Sequence, residues 1–244
     1  MSSYIVGALT DYFPCLLPEM VLGVVACVLF LGGTWRAGRN LWGAVALVGL
    51  ALAGLGVWGS ARLASTMEAR RAAVVQMPDG PEREAATAAQ HATVYAAPVQ
   101  QTDLALLIKV IALAGGAVLV LFCWNDMPAD QAADYHACLL IIVAGMGLTA
   151  AANDLITLFL ALELVSIPTY IMLYLPRADE AAQEAAMKYF LLSIFSSALL
   201  LFGFSYLYGM AGTTNLPALG EALVGARQVE HYVGRDAHQL QRQK

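Results

Sequence analysis

Polar residues divide the chain into six long apolar runs, at about residues 15–33, 41–59, 104–124, 137–152, 154–175 and 187–209. A helix rises about 1.5 Å per residue, so roughly 20 apolar residues are needed to cross a bilayer. Each run therefore predicts a membrane-spanning helix. The expected fold class is an all-α polytopic membrane protein with six transmembrane helices.

The polar breaks between the runs give the organisation. Runs four and five are parted only by Ala152, Asn153 and Asp154, which reads as a tight hairpin with good turn and N-cap residues. Asp103 plays the same N-cap part before the third run. Between runs two and three the charges nearly balance, and Pro78, Gly80 and Pro81 break the chain. That stretch predicts an extramembrane loop, with a surface helix at 61–76. After Tyr208 there is no seventh apolar run, and from Arg227 onward the chain is polar, so a disordered or frayed tail is expected. The expected segments are two N-terminal transmembrane helices in 1–60, the extramembrane loop 61–102, a third helix in 103–125, helices four to six in 126–212 and a polar tail in 213–244.

Composition agrees with a lipid environment. Hydrophobic residues make up 59% of the 244, charged residues only 13%, and mean hydropathy is +0.66; soluble domains average about 25% charged. The net charge of −5 comes with no basic tract of the kind that binds nucleic acid or anionic lipid. Cys15, Cys27, Cys123 and Cys138 sit in or beside apolar runs without C-x-x-C spacing and read as small packing residues. No Rossmann or P-loop glycine pattern and no H-E-x-x-H motif is present. The N-terminus has neither a basic leader nor a convincing cleavage site, and reads as a retained membrane helix. Arg36 and Arg39, in a short loop, favour the cytoplasm. This places the N-terminus, the loop 61–102 and the tail outside, and the loop carrying Arg177 inside. His91, His136, His231 and His238 lie in or next to polar loops without metal-ligand spacing and receive no role.

Charges inside the runs carry the candidate chemistry. Glu163 is the ninth residue after Asp154, about 13–14 Å along a helix axis and too deep for a short carboxylate to reach the interface. An intramembrane charge costs about 3 kcal/mol on insertion scales. Ser166 and Tyr170 share its helix face and could hydrogen-bond it or hold a water. Pro168 cannot donate to the Leu164 carbonyl, which predicts a kink and a wet spot nearby. Glu163 is thus either a proton carrier or a permanently protonated link between helices. Lys188 opens the sixth run. It either snorkels and pairs outward with the acidic loop before it or serves as the cation for Glu163. Ser193, Ser196 and Ser197 form a hydroxyl stripe beside it with Tyr189. Lys109, six residues past Asp103, either snorkels or supports a relay. Glu19 follows Pro18, and reads as a first-turn carboxylate stabilised by the helix dipole. Burial disfavours the charged form of a carboxylate or an amine, and a nearby opposite charge restores it. A buried Glu–Lys pair can therefore exchange a proton as the two move apart and together.

The stretches "AANDLITLFLALELVSIPTY" and "EAAMKYFLLSIFSSALLLFGFSYLYGMAGTTNL", with "LLPEMVLG" and "DLALLIKVIALAG", resemble subunit N of bacterial NADH–quinone oxidoreductase, respiratory complex I. The resemblance runs over roughly residues 14–225. It implies an antiporter-like membrane subunit of about fourteen helices with inverted five-helix repeats, of which this chain matches the first half. It also implies that Glu163 and Lys188 belong to a proton channel, and that the chain is part of a proton-translocating enzyme without doing redox chemistry itself. NADH, flavin, iron–sulfur clusters and quinone would be bound by other subunits, and this chain would hold no cofactor or metal. The implied partners are other membrane-arm subunits, including adjacent antiporter-like ones, and lipid; the implied location is the bacterial inner membrane. After about Gly225 the likeness stops, which implies a shifted frame or a split subunit whose companion chain carries the remaining helices. Two other readings remain open: a subunit of a cation/proton antiporter complex, and a non-transporting scaffold or assembly piece.

Overall fold

The computed structural model describes residues 2–35, 38–78, 80–87, 97–175 and 179–225. Arg36, Arg177, His91, His231, His238 and the tail from residue 226 onward lie outside the described residues. Among those described, six helices are long and apolar enough to cross a membrane. They are α1 (Ser2–Gly32), α2 (Arg39–Val75), α3 (Asp103–Phe122), α4 (Ala132–Ala151), α5 (Leu155–Tyr174) and α6 (Glu180–Ala211). A shorter apolar helix, α7 (Leu216–Gly225), follows where only a polar tail was expected. The chain is an all-α polytopic membrane protein.

The helices overrun the apolar runs that predict them. α1 starts at Ser2 and contains both Pro14 and Pro18, so Pro18 does not mark a helix start. α2 has 37 residues, about 55 Å of helix, and its apolar span ends at Arg62. It merges the second run and the expected surface helix into one rod, so the predicted loop begins only after Val75. α6 begins at Glu180 rather than near 187, because "EAAQEAA" is good helix-forming sequence and Asp179 caps it by accepting from the Ala182 N–H at 2.8 Å. Before α3 the cap is Thr102, whose hydroxyl accepts from the Ala105 N–H at 3.1 Å; Asp103 is the first-turn carboxylate beside it. Gly212 ends α6 at φ 67°, a left-handed turn that a β-carbon would strain, with its N–H on the Tyr208 carbonyl at 2.7 Å.

α4 sits at the centre, packed against α1, α2, α3 and α5, while α6 packs against α5. The core joins Leu22, Leu29, Trp42, Leu50, Leu140 and Val143 through small residues such as Ala26, Ala46, Ala53, Ala112 and Ala144. Small side chains let helices approach closely in lipid, where association depends on packing rather than on expelling water. The large apolar residues left outside, among them Val24, Leu31, Leu52, Leu107 and Phe122, fit a lipid-facing surface.

The connections fall on two opposite faces. On one, Arg39 donates to the Asn125 carbonyl at 3.2 Å, so the α1–α2 and α3–α4 turns are neighbours. On the other, the short Ala152–Asp154 turn joins two distant segments. Asn153 donates from its backbone to the Pro98 carbonyl at 3.0 Å and from its side chain to the Ala97 carbonyl at 2.9 Å. Its own carbonyl accepts from the Leu216 N–H at 3.0 Å and the Asn215 side chain at 3.3 Å. Asp154 caps α5 through the Ile156 and Thr157 N–H groups at 2.8 and 3.4 Å and also accepts from the Thr214 hydroxyl. The sequence shows the turn and its cap, but not the two segments it binds. Asp154→Ala should lower the thermal unfolding midpoint in detergent, consistent with about 1–2 kcal/mol for a lost cap. Thr214→Val, which spares the cap, should lower it less; equal losses would mean the cap contributes little.

Candidate functional site

Two carboxylates, Glu19 and Glu163, lie inside the apolar runs away from their ends, and the structure treats them differently. Glu163 is half-buried on α5, and the Ser197 hydroxyl of α6 donates to its Oε1. Farther along the same antiparallel seam, Tyr170 meets Phe190 edge-on at 5.2 Å between ring centroids. In the other direction the seam passes Phe159 to a groove lined by Leu201, Ser205, Tyr208 and Thr214. Of the polar residues predicted to serve Glu163, Ser197 does so. Ser166 instead donates back to the Leu162 carbonyl at 2.9 Å, and Tyr170 is in the Phe190 contact. Ser193 is half-buried and Ser196 exposed on the same helix.

Lys188 is not beside Glu163. Its ammonium pairs with Glu184 one helical turn earlier at 2.5 Å, with side chains 69% and 66% exposed. It lies nine residues before Ser197 on α6, about 13 Å along the axis, beyond the reach of a lysine side chain. This is the outward pairing of the two the sequence left open. The pair is exposed and therefore of small energetic consequence.

The buried ion pair is elsewhere. Lys109 of α3 and Glu19 of α1 meet at 2.8 Å with exposures of 2% and 9%. Lys109 does not snorkel. Its ammonium also donates to the Cys15 carbonyl at 2.9 Å and to Gln101 Oε1 at 3.3 Å. Gln101 passes the chain on to the Ser60 hydroxyl of α2 at 3.2 Å. Pro14 and Pro18 interrupt the backbone ladder of α1 around the turn that offers the Cys15 carbonyl. Glu19 stands deep within α1, so its charge is balanced by a lysine ammonium and not by a helix N-terminus. α4 closes the site with Gly147, where a β-carbon would come within 2.7 Å of Glu19 Oε1. Sequence reading missed Glu19, Gln101, Ser60 and Gly147 as members of one site. The available signal was two opposite charges at comparable depth in different apolar runs.

A family model described as "NADH:quinone oxidoreductase/Mrp antiporter, TM" matches residues 152–236. The chain is 39% identical over 121 residues to NADH-quinone oxidoreductase subunit N of Anaeromyxobacter sp. (strain Fw109-5), covering 49% of this chain and 23% of that protein. To subunit N 1 of Koribacter versatilis (strain Ellin345) it is 29% identical over 221 residues, 88% of this chain and 39% of that protein. A chain in a solved structure of respiratory complex I from Thermus thermophilus with bound aureothin superposes with a TM-score of 0.56 at 24% identity, covering 84% of this chain and 41% of that one. The chain resembles subunit N.

The chain thus spans 23% and 39% of the length of these two relatives. The region shared with the family model holds Glu163, Lys188 and Ser197, whereas Glu19, Lys109 and Gly147 precede it. The longer subunit N likeness and the structural superposition extend over most of the chain. Gly147→Ala should reduce stability by about 1–3 kcal/mol through overpacking, read as a lower unfolding midpoint in detergent. Gly115→Ala on α3, where nothing lies within 4 Å of a new β-carbon, should be neutral or stabilising. Equal effects would mean that the Gly147 contact does not restrict the site.

Proposed function

We propose that the chain acts as a proton-translocating membrane-arm subunit of NADH:quinone oxidoreductase, with Glu163 holding the exchanged proton. The observation that carries this reading is a carboxylate within the α5 span whose partner among the described residues is the Ser197 hydroxyl. A neutral donor stabilises a carboxylate without fixing its charge as an adjacent cation would. Glu163 can therefore pass between ionised and protonated forms with little rearrangement. Ser197 can donate to the ionised form and accept from the protonated one, because a hydroxyl has both capacities. Lys188, about 13 Å farther along α6 and paired outward with Glu184, would bias that exchange only through movement of α6 along the seam. Ser193 and Ser196, on the same helix, mark the stretch through which water would connect them.

In this reading NADH, flavin, iron–sulfur clusters and quinone belong to other subunits, and electron transfer there supplies the motion that gates Glu163. The partners are the other membrane-arm subunits, including adjacent antiporter-like ones, with lipid around the exposed faces. The location is the bacterial inner membrane with the N-terminus outside; the Arg39–Asn125 face is then cytoplasmic, in keeping with an excess of cations on that side. The family model also names Mrp antiporters, which supports a cation/proton antiporter as the second reading. The subunit N relatives favour the first.

Glu163→Gln in the assembled complex should strongly depress proton pumping while NADH oxidation by the hydrophilic arm survives. Glutamine keeps the shape and hydrogen-bonding capacity but cannot reversibly hold a proton. Normal assembly with a wild-type ratio of protons to electrons would instead make Glu163 a structural link between α5 and α6.

A further inference from the structure

The Glu19–Lys109 pair is unevenly satisfied. The ammonium has three acceptors: Glu19 Oε1 at 2.8 Å, the Cys15 carbonyl at 2.9 Å and Gln101 Oε1 at 3.3 Å. The carboxylate spends one oxygen on the lysine, while Oε2 is buried with no hydrogen-bond partner among the described residues. A buried acceptor without a donor is costly, and a proton bound there removes that cost. From this geometry we propose that Glu19 is a second proton-exchange site, independent of Glu163, which takes up a proton at Oε2 from the Gln101 end of α3.

The exchange balances simply. Hydronium at the Gln101 end delivers the proton: its O–H bond breaks, an O–H bond forms at Oε2, and water is left behind. Lys109 keeps its own three protons throughout, because the Cys15 carbonyl and Gln101 Oε1 still accept from it when the carboxylate is neutral. The site alternates between a neutral pair and one net positive charge. Such alternation needs a small space at the carboxylate and one side facing solvent, and the structure has a cavity at the pair and exposed residues beside Gln101. A narrow cavity beside the pair is walled by Leu22, Val57, Leu113, Val143 and Ala144, which offer no proton path. Gln101, by contrast, is half-buried next to exposed Thr102 and Asp103. Gly147 prevents the carboxylate from gaining a side-chain partner on α4. Among the described residues, the charged and titratable groups around the site are few. α1 adds the buried Cys15 thiol, and α3 adds exposed Asp103 at the entrance. On α2, Arg62 lies over the Trp58 ring, 4.6 Å from its centre, and α4 lines the cavity only with Val143, Ala144 and Gly147.

This inference does not rest on the complex I reading, and its test reads Glu19 directly. The full chain in lipid nanodiscs, carrying glutamate isotope-labelled at the side-chain carboxyl, is compared by infrared difference spectroscopy between alkaline and acidic buffer. Acidification should produce, among the bands of the labelled glutamates, a high-frequency component from a protonated carboxyl without a hydrogen-bond partner, and that component should be absent in Glu19→Gln and persist in Glu163→Gln. Lys109→Met removes the cation that holds Glu19 ionised, so in that variant the component should already be present at neutral pH. Gln101→Leu should keep the component but slow its exchange into deuterium. A component unchanged in Glu19→Gln, or lost instead in Glu163→Gln, overturns the proposal. So does a Lys109→Met component that develops at the wild-type pH, a reading that does not depend on how well Glu19→Gln folds.

Discussion

A lysine ammonium and a carboxylate held 2.8 Å apart with almost no solvent exposure set the terms for the first four helices. A charge at the centre of a membrane helix costs about 3 kcal/mol on insertion scales, and removing one partner of a buried pair costs about 3–5 kcal/mol. α1 and α3 must therefore meet at one axial level and one rotation. Ser60 on α2 and Gln101 at the start of α3 extend the same polar chain, so α2 is drawn into register as well. α4 can cover the site only because Gly147 has no side chain. With α4 fixed at the centre, the Ala152–Asp154 turn falls where it can bind the segments around Ala97–Gln100 and Thr213–Leu216. Local sequence chemistry thus propagates from one ion pair to the arrangement of the connections on one face.

The second carboxylate lies outside that closed arrangement. Glu163 has a hydroxyl partner rather than a cation, on a helix pair of which α6 has no buried residue. The contrast is useful physically. Glu19 is tied to a cation that joins α1 to α3, whereas Glu163 is tied to a neutral hydroxyl that joins α5 to α6. The chain therefore has a deeply buried charged site among α1–α4 and a half-buried one between α5 and α6. The family model falls on the half-buried one.

How far the sequence revealed this depends on whether the responsible physics is local. All six spans were legible, because hydropathy over a run of residues depends on that run alone. Helix ends were not: hydropathy reports lipid contact, and both the polar end of α2 and "EAAQEAA" in α6 are helical without being apolar. Asp154 was legible as a cap since its acceptors and donors lie within three residues. Pro18 misled, because in lipid a proline can stay inside a helix when neighbouring groups compensate for the lost bond. Glu163 was legible as a deep charge and Ser197 as part of a hydroxyl stripe. Their pairing, and the absence of Lys188 from it, depends on how two helices are rotated and staggered, which packing decides. The Glu19–Lys109 pair joins residues 90 positions apart, a contact that no local pattern reports.

The central claim is that Glu19 and Lys109 form one energetic unit that orders α1, α3 and α4. A double-mutant cycle on unfolding free energy in mixed micelles tests it most directly. Glu19→Gln and Lys109→Met should each be strongly destabilising, and the double variant should be no worse than the milder single one, because it strands no charge. Losses that simply add would show two independent residues and contradict the account.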